Sequence, residues 1–174
     1  MMTRLAAFNM KFLLALVLAA GGFSAGCSSK EDKKISTIRL HLEVNPQMVR
    51  RSHPVPILRG EPVMVNVEDV PFLYEAYVDQ AEVVQNPGGY EIKLVFNKSG
   101  SWLLENITAD NQGKRIAIMA QFPESRWLAA PIIRGRIAGG VLQFVPDASL
   151  EETRRIVDGL NLTIEKRKRN SWGS

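Results

Sequence analysis

The stretch ISTIRLHLEV (35–44) alternates strictly, with Ile38, Leu40, Leu42 and Val44 on one face and Arg39, His41 and Glu43 on the other. A period of two predicts a half-buried strand. Pro46, Pro54, Pro56, Gly60 and Pro62 punctuate residues 46–62 and predict a loop there. VMVNV (63–67) resumes the alternation with Val63, Val65 and Val67 on one side. PFLYEAYVDQ (71–80) keeps neither period and reads as a short helix or an irregular connector.

AEVVQ (81–85), NPGG (86–89) and YEIKLVF (90–96) read as a hairpin. Tyr90, Ile92, Leu94 and Phe96 share a face, and the Asn-Pro-Gly-Gly run supplies the turn. Helical spacing then takes over. Asn97 is a fitting N-cap, Leu103, Leu104 and Ile107 form the apolar stripe, and Gly113 suits the exit. KRIAIMAQ (114–121) is apolar enough for a central strand, and WLAAPIIR (127–134) reads as its partner with an edge or bend at Pro131. GGVLQFV (139–145) predicts a further strand. In SLEETRRIVDGL (149–160), Ser149 and Glu152 have capping-box spacing, and Leu150, Thr153, Ile156, Val157 and Leu160 make the inner stripe. EKRKRNSWGS (165–174) reads as a basic polar tail. Hairpin-linked strands with two well-separated helices predict an α+β fold: a mainly antiparallel sheet with two main helices on one face.

The front of the chain obeys another logic. Arg4 and Lys11 precede nine apolar residues (12–20), and Gly21, Gly22, Ser24, Ala25 and Gly26 come next. That is the three-part layout of a secretory signal. The run is shorter than the roughly 20 apolar residues of a membrane-spanning helix. Cys27 is the single cysteine, an odd free thiol for an exported protein. Ser24-Ala25-Gly26-Cys27 resembles the lipobox of bacterial lipoproteins, although that family usually has Leu where Ser24 stands. The resemblance implies cleavage before Cys27, diacylglyceryl and acyl groups on it, and a membrane partner held through them. The expected organisation is a leader over 1–26, a lipidated cysteine and polar tether over 27–34, one domain over 35–161 and a basic tail over 162–174. Ser28, rather than Asp, comes directly after the cysteine. In a Gram-negative cell that favours the outer over the inner membrane, with the domain facing the periplasm.

Composition adds limits. With 45% hydrophobic and 23% charged residues the chain has an ordinary globular makeup. Its formal charge of +4 falls to +2 once Arg4 and Lys11 leave with the leader. This is no nucleic-acid-binding composition. His41 and His53 are the only histidines. One sits on a strand's polar face and the other in a proline-rich loop, so both read as solvated or structural, and neither supports a nucleophile or a zinc site. No cofactor is expected. A hydrolase reading needs a pocket that brings Asp69, Asp79 or Asp110 to a convergent partner. Trp102 reads as a core residue of its helix, and Trp127, beside a loop, as the more open of the two.

The stretch TADNQGKRIAIM (108–119) resembles the end of a helix and the next strand in the SecD subunit of the protein-export machinery. Ala130-Pro131-Ile132-Ile133 is similar to that family's alanine-proline strand. Ile137, Gly139, Gly140, Gln143 and Phe144 are similar to its glycine-containing hairpin, and Ser149-Leu150-Glu151-Glu152 to its helix start. The likeness covers about 63–160, the head subdomain of the periplasmic part of SecD. QFPESRW (121–127) departs from the compact turn of many such heads, and SecD's membrane bundle has no counterpart. The resemblance implies a SecD-head-like fold and a non-enzymatic module that binds protein. The expected contact surface is an exposed strand edge or the loop carrying Phe122, Arg126 and Trp127. The alternative is a structural subunit or spacer of an envelope assembly.

Overall fold

The computed structural model describes residues 35–172. In chain order the elements are β1 (Thr37–Leu42), β2 (Ser52–Ile57), β3 (Val63–Glu68), β4 (Leu73–Tyr74), a 3-10 turn (Glu75–Tyr77), β5 (Val78–Asn86), β6 (Gly89–Phe96), α1 (Lys98–Asp110), β7 (Ile116–Gln121), β8 (Ser125–Ala129), β9 (Val141–Phe144) and α2 (Leu150–Trp172). The strands make three antiparallel groups: a four-stranded sheet ordered β4-β1-β7-β8, the pair β2-β3, and a three-stranded sheet ordered β5-β6-β9. The expected α+β class, antiparallel pairing and two main helices form, but the strands divide into three groups where a single sheet was expected.

The alternation in β1 builds the main core. Ile38, Leu40 and Leu42 lie opposite Ala120, Ile118 and Ile116 of β7, and all six are buried. Ile92, Leu94 and Phe96 of β6, Leu104 of α1, and Ile156, Val157 and Leu160 of α2 close over the same face. Each large side chain so buried is worth about 1.5–3 kcal/mol. Gly140 fixes how the three-stranded sheet meets α1. Its φ is +67°, and a Cβ there would lie 1.8 Å from Ser101 Oγ, so only glycine fits.

The opposite face of the four-stranded sheet is not left to water. The proline-rich stretch read as loop contains β2, whose Val55 and Ile57 are buried with Val65 and Val67 of β3 against Ala117 and Trp127. Pro54 and Pro56 stand opposite Asn66 and Met64. A strand with one neighbour tolerates them because a missing N–H can point away from the ladder. This hairpin covers the face that β1 patterning assigns to polar residues. His41 is therefore 5% exposed, with Nδ1 2.8 Å from the Glu68 carbonyl oxygen and its ring edge-on to Trp127 at 5.3 Å. Its Nε2 is buried with no partner among the described residues. Burial pushes the imidazole's pKa down, partly opposed by the bond to Glu68.

The ambiguous 71–80 segment resolves into β4, the 3-10 turn and the start of β5. α1 begins as expected: Asn97 Oδ1 accepts the Gly100 N–H at 2.9 Å. Trp102, read as core, is instead 64% exposed. It lies two residues from Leu104, hence on the far side of the helix. Trp127 is the packed tryptophan. β8 ends at Ala129, before Pro131.

α2 opens on the predicted capping box. The Ser149 N–H donates to Glu152 Oε2 at 2.9 Å, and the Glu152 N–H to Ser149 Oγ at 3.2 Å. That backbone bond, with Arg126 and Arg59 nearby, pulls the Glu152 carboxyl from its usual 4.5 to about 2. The helix does not stop at Leu160. It continues to Trp172, through the segment read as a polar tail. Ile164, 3% exposed, joins the main core, and Arg167 donates to the carbonyls of Glu75 and Val78 at 2.7 and 2.8 Å. The tail's basic composition concealed one apolar anchor and one guanidinium used as a clamp.

These capping and buried groups make stability depend on pH. A carboxyl with a depressed pKa stabilises the fold fully above its unfolded value and loses that contribution as pH falls through its folded value. Glu152→Gln is expected to lose about 0.5–1 kcal/mol at neutral pH and to flatten the loss of stability between pH 4.5 and 2, read from urea midpoints. His41 acts in the same pH direction for the opposite charge reason: the folded protein favours the neutral ring, so stability falls as pH drops below 6.5. From about pH 7.5 to about pH 5.5, a window that brackets the ordinary imidazole pKa, the urea midpoint of wild type is expected to fall further than that of His41→Leu; equal declines would contradict a buried neutral His41.

Candidate functional site

Cys27 lies outside the described residues. Phe122 and Arg126 line one concavity of about 340 Å³ with Pro123, Glu124, Arg155 and Ile156. Trp127 does not join them, because it faces the β2-β3 hairpin on the other side of the sheet. Arg126 is already engaged: Nη1 lies 3.1 Å from Glu152 Oε1, and Nη2 donates to the Asp147 carbonyl at 2.9 Å. This corner works as a brace between β8 and the start of α2. His53 pairs with Asp69 at 2.8 Å on the exposed surface. Asp69, Asp79 and Asp110 line neither this concavity nor the two beside β9.

The strand edges separate more clearly. An edge strand presents unpaired N–H and C=O groups that proteins usually block. β4 is two residues long, and β2 carries Pro54 and Pro56. β3 joins the end of β1 through the Val44 N–H bond to the Asn66 carbonyl at 2.9 Å. β8 is irregular against β7 at Ile118/Met119, and its Leu128 carbonyl accepts the Asp147 N–H at 2.7 Å. β5 is covered by α2. Asn161 Oδ1 accepts the Ala81 N–H at 3.1 Å and its Nδ2 donates to the Ala81 carbonyl at 2.9 Å, so one side-chain amide takes the place of a neighbouring strand. The Arg167 clamp on Val78 holds the helix along the strand, and the Tyr90 hydroxyl of β6 donates to the Ala148 carbonyl just ahead of the helix.

β9 has no such device among the described residues. Asn86 and Gly89 close a two-residue turn and are therefore a hydrogen-bonded pair. Counting along β6 by twos, Ile92 and Leu94 turn their backbone groups toward β9, opposite Phe144 and Leu142. The Phe96 N–H bond to the Gly140 carbonyl at 2.9 Å agrees with that phase. Val141, Gln143 and Val145 consequently aim theirs outward, and no described residue bonds to them. All three are exposed, Val145 at 66%.

A trough flanks this edge. One part, about 320 Å³, is lined by Ile57, Leu58, Val63, Pro131, Phe144 and Val145. The other, about 430 Å³, lies between Leu142 and Gln143 on one side and Ile132, Ile133 and Ile137 on the other. Pro131 belongs to both parts. The 131–133 segment is itself fixed to the start of β7, with the Ile116 N–H on the Pro131 carbonyl at 3.0 Å and the Ile133 N–H on the Lys114 carbonyl at 2.8 Å. The trough thus runs between the margins of two sheets. At the hairpin end Leu58 has φ +72°, a left-handed backbone that a branched apolar residue seldom adopts. Sequence reasoning named a strand edge as a candidate without locating it. The alternation of GGVLQFV gives each residue's face but carries no signal for how many neighbours the strand has.

Comparison with known proteins agrees with this architecture. The crystal structure of SecDF in a super-membrane-facing form superposes with a TM-score of 0.55 at 22% identity, covering 75% of this chain and 19% of that one. A structure of SecDF, described as a membrane component that enhances protein export, gives 0.53 at 19% identity over 92% of this chain and 70% of that one. The protein translocase subunit SecD of Calditerrivibrio nitroreducens is 36% identical over 83 residues, 48% of this chain but 15% of the SecD protein. The chain therefore corresponds to a small part of that relative's length. The family model for the SecDF P1 head subdomain matches residues 51–161, from β2 through the first half of α2 up to Asn161. The chain belongs to the SecDF P1 head subdomain family.

Proposed function

We propose that the domain is a non-enzymatic polypeptide-binding module of the bacterial envelope that takes an extended segment of another protein as an added strand on β9. The observation that carries this reading is the open β9 edge beside an apolar trough. Main-chain bonds to Gln143 and its neighbours would supply affinity, and the trough would take alternate side chains. Relatives described as a translocase subunit and as enhancing export make a chain in transit across the envelope the fitting partner. No helix among the described residues is long and apolar enough to cross a membrane. We assign attachment to lipid on Cys27, with residues 28–34 as the tether and the domain facing the periplasm, at the outer membrane in a Gram-negative cell. More than one acyl chain gives a stable anchor.

Two experiments test this reading. A photo-crosslinking residue at Gln143 is expected to form adducts with exported chains in transit, and one at Asp110 is not. Gln143→Pro removes an outward N–H at a position where a sheet tolerates proline, and should lower adduct yield from a crosslinker at Val145 several-fold with the melting temperature unchanged. Undiminished adducts would count against strand addition. For the anchor, a fatty-acid analogue should label wild type and not Cys27→Ser; an unlabelled wild type would refute lipidation.

A further inference from the structure

The trough is charged on one side only. Arg115, Arg134 and Arg136 are among the residues lining its two parts, and no Asp or Glu is among them. Arg115 is committed inward, with Nη1 2.9 Å from the Ala130 carbonyl. Arg136 pairs with Glu105 at 2.8 Å while remaining largely exposed. Arg134 is exposed and has no partner among the described residues. Two exposed guanidinium groups therefore stand over the part of the trough beside Leu142 and Gln143. The part beside Phe144 and Val145 is apolar apart from Arg115.

The charge gradient runs along β9, so it specifies a direction as well as a composition. Resting on the strand-addition reading above, we infer that the preferred occupant is an extended polypeptide segment with apolar residues at alternate positions and acidic residues after them. Every strand pair in this fold is antiparallel. An antiparallel addition to β9 places the occupant's C-terminal end toward Leu142 and Gln143, which share their part of the trough with Arg134 and Arg136, and its apolar part beside Val145. Carboxylates there meet guanidinium groups suited to planar, two-point contact. An occupant bearing lysines at that end would face like charge.

Three N-acetylated, C-amidated peptides test this against the full chain by fluorescence anisotropy. They are Thr-Val-Thr-Val-Thr-Glu-Glu, the same peptide ending Lys-Lys, and Glu-Glu-Thr-Val-Thr-Val-Thr, each competing against one fluorophore-labelled copy of the first. At low salt the first is expected to bind about tenfold more tightly than the second and more tightly than the third. Arg134→Glu should abolish or reverse the first preference, and raising salt should shrink it. Equal affinity for all three, with adducts still formed from position 143, would overturn the charge and direction while leaving strand addition in place. Absence of binding by any peptide, together with absence of those adducts, would overturn both.

Discussion

A strand at the edge of a sheet carries backbone groups that something must satisfy, and the described residues form three sheets and therefore six edges. The most extensive answer is α2. Its Asn161 amide meets both outward groups of Ala81, its Arg167 clamps the carbonyls where β5 begins, and its capped start is braced by Arg126. The same helix places Ile156, Val157, Leu160 and Ile164 in the main core. Polar closure of the β5 edge and apolar closure of the core are thus properties of one 23-residue helix. Loss of Asn161 would leave a partly buried N–H and C=O without partners, a penalty of about 1–3 kcal/mol per group.

The four-stranded sheet shows the same economy on its two faces. One face meets the main core and the other the β2-β3 hairpin, with His41 held beneath. That hairpin has a second consequence at its far end, where Ile57, Leu58 and Val63 form one end of the trough beside β9. The element that dries the outer face of the sheet also shapes the surface on which a partner strand would lie. Strand addition needs no reactive side chain. It needs one edge left open in a domain whose other edges are closed, and a fixed wall opposite that edge.

Much of this was legible in the chain. The alternation of β1 and β6, the Asn97 cap, the Ser149–Glu152 capping box and the turn at 86–89 each act over a few residues, and each is found as read. The failures share a cause. Pro54 and Pro56 look like loop residues because their compatibility with a strand depends on how many neighbours it has. Trp102 looks like core because its size outweighs a two-residue phase difference from Leu104. The end of α2 looks like a tail because Ile164 and Arg167 are defined by contacts with elements distant in the chain. The openness of β9 is likewise a relation between elements, invisible in GGVLQFV itself.

The family membership accounts for the fold, and the open β9 edge is the feature on which the proposed strand addition rests. Amide hydrogen exchange reads that pairing residue by residue. On addition of a reduced, alkylated unfolded protein, exchange is expected to slow at Gln143 and Val145 and to stay unchanged at the Ala81 amide, which Asn161 already occupies. Protection confined to other strands, or none at Gln143 under conditions where binding is measured independently, would contradict strand addition at β9.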